Sequence, residues 1–340
     1  MLFAIGRFGK AYCTLLLFFF SVEQALAGSV RDSIEDRGYL RCGIEKTTSF
    51  LSENPPLENA AREYCEAITL ALFRDKNANK VIYIPPGKTE SFLNNNSVDL
   101  VMLSGSRGDV SHQITVLSAP LLINDVKVLN LTGGKAPQRL SGQRVCTLNN
   151  QINNQGLAVF GQKKQTSFSV ASYKTPDDLL EMALNHKCRA VALPRIQLLQ
   201  FHGKIQKYYP LAEIIDSATT NPKLGIVVLA SDPEWINVTS AFGYALLEAE
   251  IQNINSTNID YIASTSTNKA VQLLLGLKED QAVSLGLDKQ WAYRVLKSYG
   301  NYGEIYERHF GVDSDFPIAR NPISFLLNEP VYNQSVLKRN

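Results

Sequence analysis

The sequence predicts an α/β protein of two lobes, each built on a mixed, mostly parallel sheet, with hinge strands running between them. Three observations predict it. Strand and helix patterns alternate as βαβαβ from Tyr39 to Leu103. The same alternation restarts at Arg144. A final strand pattern, "LGIVVLA", is followed by helical patterns only, so a first unit is interrupted by a second and completed by the C-terminal part. Alternation of this kind lays helices over a largely parallel sheet.

In chain order, "YLRCGI" reads as a strand, and "LENAAREYCEAITLALF" places Ala61, Cys65, Ile68 and Leu72 at helical spacing. The strand "KVIYI" stops at Pro85-Pro86, and a short helix through "TESFLNN" leads to the strand "DLVML". "APLLINDVKVL" crosses to the second unit. There "RVCTL", "SFSV" and "RAVAL" are strands and "INNQGLAVFG" is a weak helix. "TPDDLLEMALNH" has strong start signals: Thr175 as N-cap, Pro176 in the first turn and Asp178 at the capping-box position. "LGIVVLA" crosses back. Asp232-Pro233 then opens a helix whose Trp235, Val238, Phe242, Ala245 and Ala249 share one face, and helices through "WAYRVLKSYG" and "YGEIYERHF" follow. The boundaries read from this are residues 1–27 as a leader, 28–124 with 232–340 as lobe one, and 125–231 as lobe two.

The chain has 340 residues, 45% hydrophobic and 19% charged, with a net charge of +2. That charge is too small for a nucleic-acid footprint, and no nucleic-acid partner is expected. Residues 1–27 carry Arg7 and Lys10, the apolar run "AYCTLLLFFF" and the small-x-small triplet Ala25-Leu26-Ala27. This is the layout of a cleaved export signal, with Gly28 as first mature residue. The apolar run is about half of the ~20 residues a membrane span needs. Four cysteines remain beyond it, Cys42, Cys65, Cys146 and Cys188, and they allow three pairings. Pairing of near neighbours would place one staple in each lobe, each contributing about 2–4 kcal/mol. The spacings match no zinc site.

In open α/β sheets small molecules sit beyond the carboxyl ends of the strands, and clefts between lobes are natural sites. "SGSRGDVSHQ" lies there in lobe one, directly after "DLVML", and "NNQINNQ" lies there in lobe two, directly after "RVCTL". A hydrolase reading of Asp109, Ser111 and His112 fails, because side chains so close along the chain seldom converge as a triad and no Gly-x-Ser-x-Gly elbow occurs. His186, His202 and His309 show no metal-ligand spacing. No catalytic residue, metal or cofactor is expected.

The run "LGLDKQWAYRVLKSYGNYGEIYERHFG" resembles a segment of the periplasmic amino-acid-binding components of ABC transporters, particularly the general L-amino-acid type. "RGYLRCGI", "EYCEAI", "SVDLVMLS", "RVCTL" and "HKCRAVAL" are similar to further landmarks of that family, in order, over nearly the whole mature chain. The resemblance implies a periplasmic-binding-protein (Venus-flytrap) fold that closes over a small solute, and the disulfides Cys42–Cys65 and Cys146–Cys188. It also implies periplasmic location, an inner-membrane ABC permease as partner, and amino-acid transport as function. A monomer is expected.

The likeness weakens at the residues that would hold the solute. Aligned without gaps, the lobe-one arginine that clamps the solute carboxylate in the family is Gln113 here, with Arg107 nearby. The hydroxyl-rich run of lobe two is Asn149-Asn150-Gln151-Ile152, and the aspartate that pairs with the α-ammonium is Pro194, followed by Arg195. Phe50 stands where the family places an aromatic over the solute side chain. The expected ligand-facing set is therefore Phe50, Ser104, Ser106, Arg107, Gln113, Asn150, Gln151 and Arg195. Burying a charge of a zwitterion without a partner costs several kcal/mol. Ordinary amino-acid binding is therefore expected to be weak unless Arg107 replaces the clamp. The alternatives are a different solute, anionic given Arg107 and Arg195, or a divergent relative whose amino-acid binding is altered or lost, serving as a sensor or interaction protein.

Overall fold

The computed structural model describes residues 29–46, 55–104, 115–215, 223–278, 285–314, 317–320, 323 and 326. The chain begins with α1 (Val30–Arg37), β1 (Leu40–Glu45), α2 (Pro56–Phe73), β2 (Asn79–Ile84), α3 (Thr89–Asn94) and β3 (Leu100–Ser104). β4 (Thr115–Ile123) and β5 (Val126–Asn130) lead into β6 (Arg144–Leu148), α4 (Gln151–Lys164), β7 (Ser169–Tyr173), α5 (Pro176–Leu184), β8 (Ala190–Pro194), α6 (Arg195–Ile205) and β9 (Glu213–Ile215). β10 (Lys223–Leu229), α7 (Pro233–Ile251), α8 (Ile259–Thr265), α9 (Lys269–Leu274), α10 (Trp291–Tyr299) and α11 (Tyr302–Phe310) complete it.

Two five-stranded sheets result, in the orders β2-β1-β3-β10-β4 and β7-β6-β8-β5-β9. β1 runs parallel to β2 and β3, and β6 runs parallel to β7 and β8. β10 is antiparallel to both neighbours, and so is β5. Each sheet is mixed, as expected, but parallel pairings do not outnumber antiparallel ones. The strands that cross between sheets enter each one against the direction of its βαβ part. The strand "LGIVVLA" crosses back as read, and its hydrogen bonds lie in the first sheet. The lobe boundary drawn at residue 231 therefore leaves β10 on the wrong side, since pairing rather than sequence order decides membership.

Pro120 lies within β4, where a proline removes a ladder donor. It is accommodated because β4 is an edge strand and the β4–β10 register shifts at Leu224/Gly225. Gly225 is required there: a Cβ would stand 1.8 Å from the Ala119 carbonyl oxygen.

The first core is built from α2, α7, α10 and α11 against the first sheet. Trp235, Val238, Phe242, Ala245 and Ala249, the predicted face of α7, are all buried in it. Two smaller clusters, around Phe201 and Phe160, fill opposite sides of the second sheet. Thr175 caps α5 by accepting from the Asp178 amide at 3.1 Å.

Cys42 of β1 is bonded to Cys65 of α2, and Cys146 of β6 to Cys188 before β8, with Cα separations of 6.0 and 5.7 Å. The first bond ties a strand of the first sheet to its covering helix, and the second ties a strand of the second sheet to the connection between α5 and β8. The loop closed by the first spans 23 residues. Loop-closure entropy gives it about 3 kcal/mol. Cys42→Ala/Cys65→Ala should lose that much in urea unfolding of the oxidised protein, while Cys146–Cys188 remains intact by thiol titration.

Candidate functional site

Register places the carboxyl ends of the parallel strands at the crossover between sheets. Ser104, last residue of β3, pairs with Gly225, and Lys223 two residues earlier pairs with Ile123, last residue of β4. Pro194, last residue of β8, pairs with Val126, first residue of β5. The β4–β5 crossover is only Asn124-Asp125. Both sheets thus aim the ends where α/β ligands sit at the same place.

On the first sheet three elements converge there. Glu45 ends β1, Ser104 ends β3 and Thr89 begins α3. The half-buried Glu45 carboxylate accepts from Thr89 Oγ1 at 2.8 Å and Ser104 Oγ at 3.0 Å through Oε2, and from the Gly87 amide through Oε1. The two hydroxyls lie 3.3 Å apart and are buried. Leu103, one residue before Ser104, has φ +49°. A bulky side chain in that region carries strain of about 1–3 kcal/mol, of the kind found where a site aims a side chain.

On the second sheet, β6 gives way to the exposed Asn149 and Asn150. Asn150 is the N-cap of α4, its side chain accepting from the Asn153 amide at 2.8 Å. Asn153 is fully buried and donates to the Leu148 carbonyl at 3.0 Å, holding β6 against the helix start. Its Oδ1 has no partner among the described residues.

The crossover is tied to α6. Pro194 has no side chain that can cap the helix, so the crossover supplies the acceptors: Asp125 O takes the Arg195 amide at 2.9 Å and Asn124 Oδ1 takes the Ile196 amide at 3.2 Å. The Arg195 guanidinium spans Asp125 Oδ1, with Nε at 2.8 Å and Nη2 at 2.7 Å, and its Nη1 donates to Ala319 O at 3.2 Å. Lys127 Nζ lies 3.1 Å from the other Asp125 oxygen, and Asp125 is buried. Arg195, expected to face a solute, is committed to this hinge carboxylate in the structure. Tyr302 and Tyr306 flank Leu122 and Ile123 beside it. Burial pushes the Tyr306 phenol up to about 12, so it stays a neutral donor, and it bonds Ile318 O at 3.2 Å.

Of the remaining expected residues, Ser104 and Asn150 lie at the two strand ends as read. Gln151 begins α4. Phe50, Ser106, Arg107 and Gln113 fall outside the described residues. Glu45 and Thr89 were not anticipated; the signal available was a lone acid directly after the β1 apolar run.

The structure has the two-lobed fold of periplasmic binding proteins. A glutathione-bound ABC transporter/periplasmic binding protein from Brucella ovis superposes with a TM-score of 0.72 at 21% identity, over 86% of this chain and 94% of that one. In sequence the chain is a homologue of amino-acid ABC transporter-binding proteins. YhdW of Escherichia coli K12, a candidate amino-acid ABC transporter-binding protein by its name, is 26% identical over 314 residues, 88% of this chain and 89% of YhdW. The general L-amino acid-binding periplasmic protein AapJ of Rhizobium johnstonii is 25% identical over 310 residues, 87% of this chain and 89% of AapJ. No protein-family profile matches.

Proposed function

We propose that this chain is the exported solute-binding component of an ABC importer for amino acids or related small solutes. It takes its solute between lobe one, residues 28–124 with 223 onward, and lobe two, residues 125–215, and presents it to an inner-membrane permease. The convergence of both sheets' strand ends on the Asn124-Asp125 crossover is the observation that supports this reading. Hinge closure around a solute touching both lobes would shift the population to the closed form. The homologues are transport binding proteins rather than enzymes. Among the described residues no helix is long and apolar enough to cross a membrane.

Thermal unfolding of the mature chain against the twenty L-amino acids and glutathione tests it. A solute at 1,000 times its Kd should add about 4 kcal/mol of stability. No shift across that panel rejects the assignment. Arg107 is proposed as the substitute for the family arginine that stands as Gln113 here. For any solute with a carboxylate that binds, Arg107→Ala should weaken affinity at least tenfold, about 1.4 kcal/mol, by calorimetry. Unchanged affinity makes Arg107 a turn residue.

A further inference from the structure

We infer that lobe one receives the ammonium end of an amine-bearing solute, and that Glu45 is the residue that recognises it; this rests on the solute-binding reading above. Glu45, Thr89 and Ser104 come from β1, α3 and β3, and none neighbours another along the chain. Their side chains meet at the edge of the sheet facing the crossover. A carboxylate offers about four acceptor positions. Among the described residues three are taken, by the Gly87 amide and the two hydroxyls, which leaves one on Oε1. Each hydroxyl spends its proton on Glu45 and keeps lone pairs that can accept. The result is a group of acceptors held in place by its own hydrogen bonds, with a negative charge at its centre.

None of the three donors to Glu45 is cationic. The neighbouring Lys46 reaches away over the Tyr83 ring, 5.6 Å from its centroid, where Arg62 also stacks at 5.8 Å. Several buried or half-buried carboxylates elsewhere are neutralised by arginines, Asp99 by Arg37 and Arg41, Asp125 by Arg195, Glu250 by Arg320. Asp232 and Glu304 take neutral donors as helix caps. Glu45 differs from these caps in standing at the strand ends that face the crossover. Glu45 is paired only with neutral donors among the described residues. A primary ammonium, with three donors and one charge, matches what is left over: the free Oε1 position and the hydroxyl oxygens of Ser104 and Thr89. The second lobe provides no carboxylate at the aligned position, which is Pro194. Placing the ammonium on lobe one gives the cationic end of such a solute a partner that lobe two lacks there.

The test is isothermal calorimetry on the mature chain with two sets of probes. L-lysine, L-arginine, glutathione and putrescine carry an ammonium or guanidinium group; succinate and N-acetyl-L-glutamate carry none. At least one cationic probe should bind, and at least tenfold more tightly than either amine-free probe. Glu45→Gln keeps the shape and most hydrogen bonds and removes the charge; it should weaken that probe at least tenfold while the melting temperature without solute stays within a few degrees. Binding of succinate or N-acetyl-L-glutamate as tight as the best cationic probe overturns the inference and leaves solute binding standing. So does a Glu45→Gln variant that loses stability but keeps its affinity, since Glu45 would then be a tether between strands. The comparison of probes on the unaltered chain decides the matter even if the variant does not fold. Silence from every probe in both sets overturns this inference, and takes the solute-binding reading with it where thermal unfolding against the twenty L-amino acids is silent as well.

Discussion

Asp99→Ala should destabilise the protein by about 3–5 kcal/mol, the range for breaking a buried charge cluster by removing one member. The Asp99 carboxylate is 1% exposed and holds two arginines. Arg37 at the end of α1 donates to Oδ2, and Arg41 of β1 approaches Oδ1 with Nη2 at 2.7 Å and Nε at 3.1 Å. Oδ2 also accepts the Arg41 amide at 2.7 Å. Without the carboxylate two guanidinium groups and an amide lose their acceptor, and the guanidinium side chains are only 19% and 24% exposed. The cluster joins α1, β1 and the start of β3, whose far end carries Ser104. Urea unfolding measures the loss. A midpoint that moves by less than about 1 kcal/mol equivalent would mean that water reaches both arginines and the cluster contributes little.

Trp235→Ala should cost a similar amount, about 3–5 kcal/mol, by a different mechanism: a large buried side chain is lost and a cavity is left behind. Trp235 is 0% exposed and sits in the first turn of α7, against the first core. Its Nε1 donates to the Asp99 carbonyl oxygen at 2.8 Å, an acceptor that the substitution leaves buried without that donor. The helix start is unaffected, because Asp232 still caps it through the Trp235 amide at 2.9 Å, which alanine retains. Trp235→Phe should recover much of the packing and not the hydrogen bond, and so fall between. Because Trp235 and Asp99 touch, the double variant should be less destabilised than the sum of the singles, by a coupling of about 0.5–3 kcal/mol in a double-mutant cycle. Strict additivity would show that the two support β3 independently.

Much of this molecule was legible in its residues because the controlling signals are local. The α7 face follows from spacing alone, and all five residues read onto it are buried. Thr175 announces α5 by capping chemistry confined to four residues. α1 had such a signal as well, Ser29 and Asp32 forming a capping box. α6 had none: it follows Pro194 directly, and its first amides are taken by Asn124 and Asp125, some seventy positions earlier along the chain. No local pattern encodes an acceptor supplied from so far away. Arg195 was read as ligand-facing for the same reason, since its acid partner is 70 residues distant.

By itself the sequence determined that one α/β unit interrupts another, that cysteines could staple each, and that short polar runs follow a strand in each unit. Those conclusions need only periodicity, composition and neighbours along the chain. Tertiary structure alone decided that β10 belongs to the first sheet, that Arg195 serves the hinge, and that Glu45 meets Thr89 and Ser104 across 44 and 59 residues. Strand register and side-chain convergence depend on which distant surfaces pack, and packing is settled by the whole core at once rather than by any segment of it.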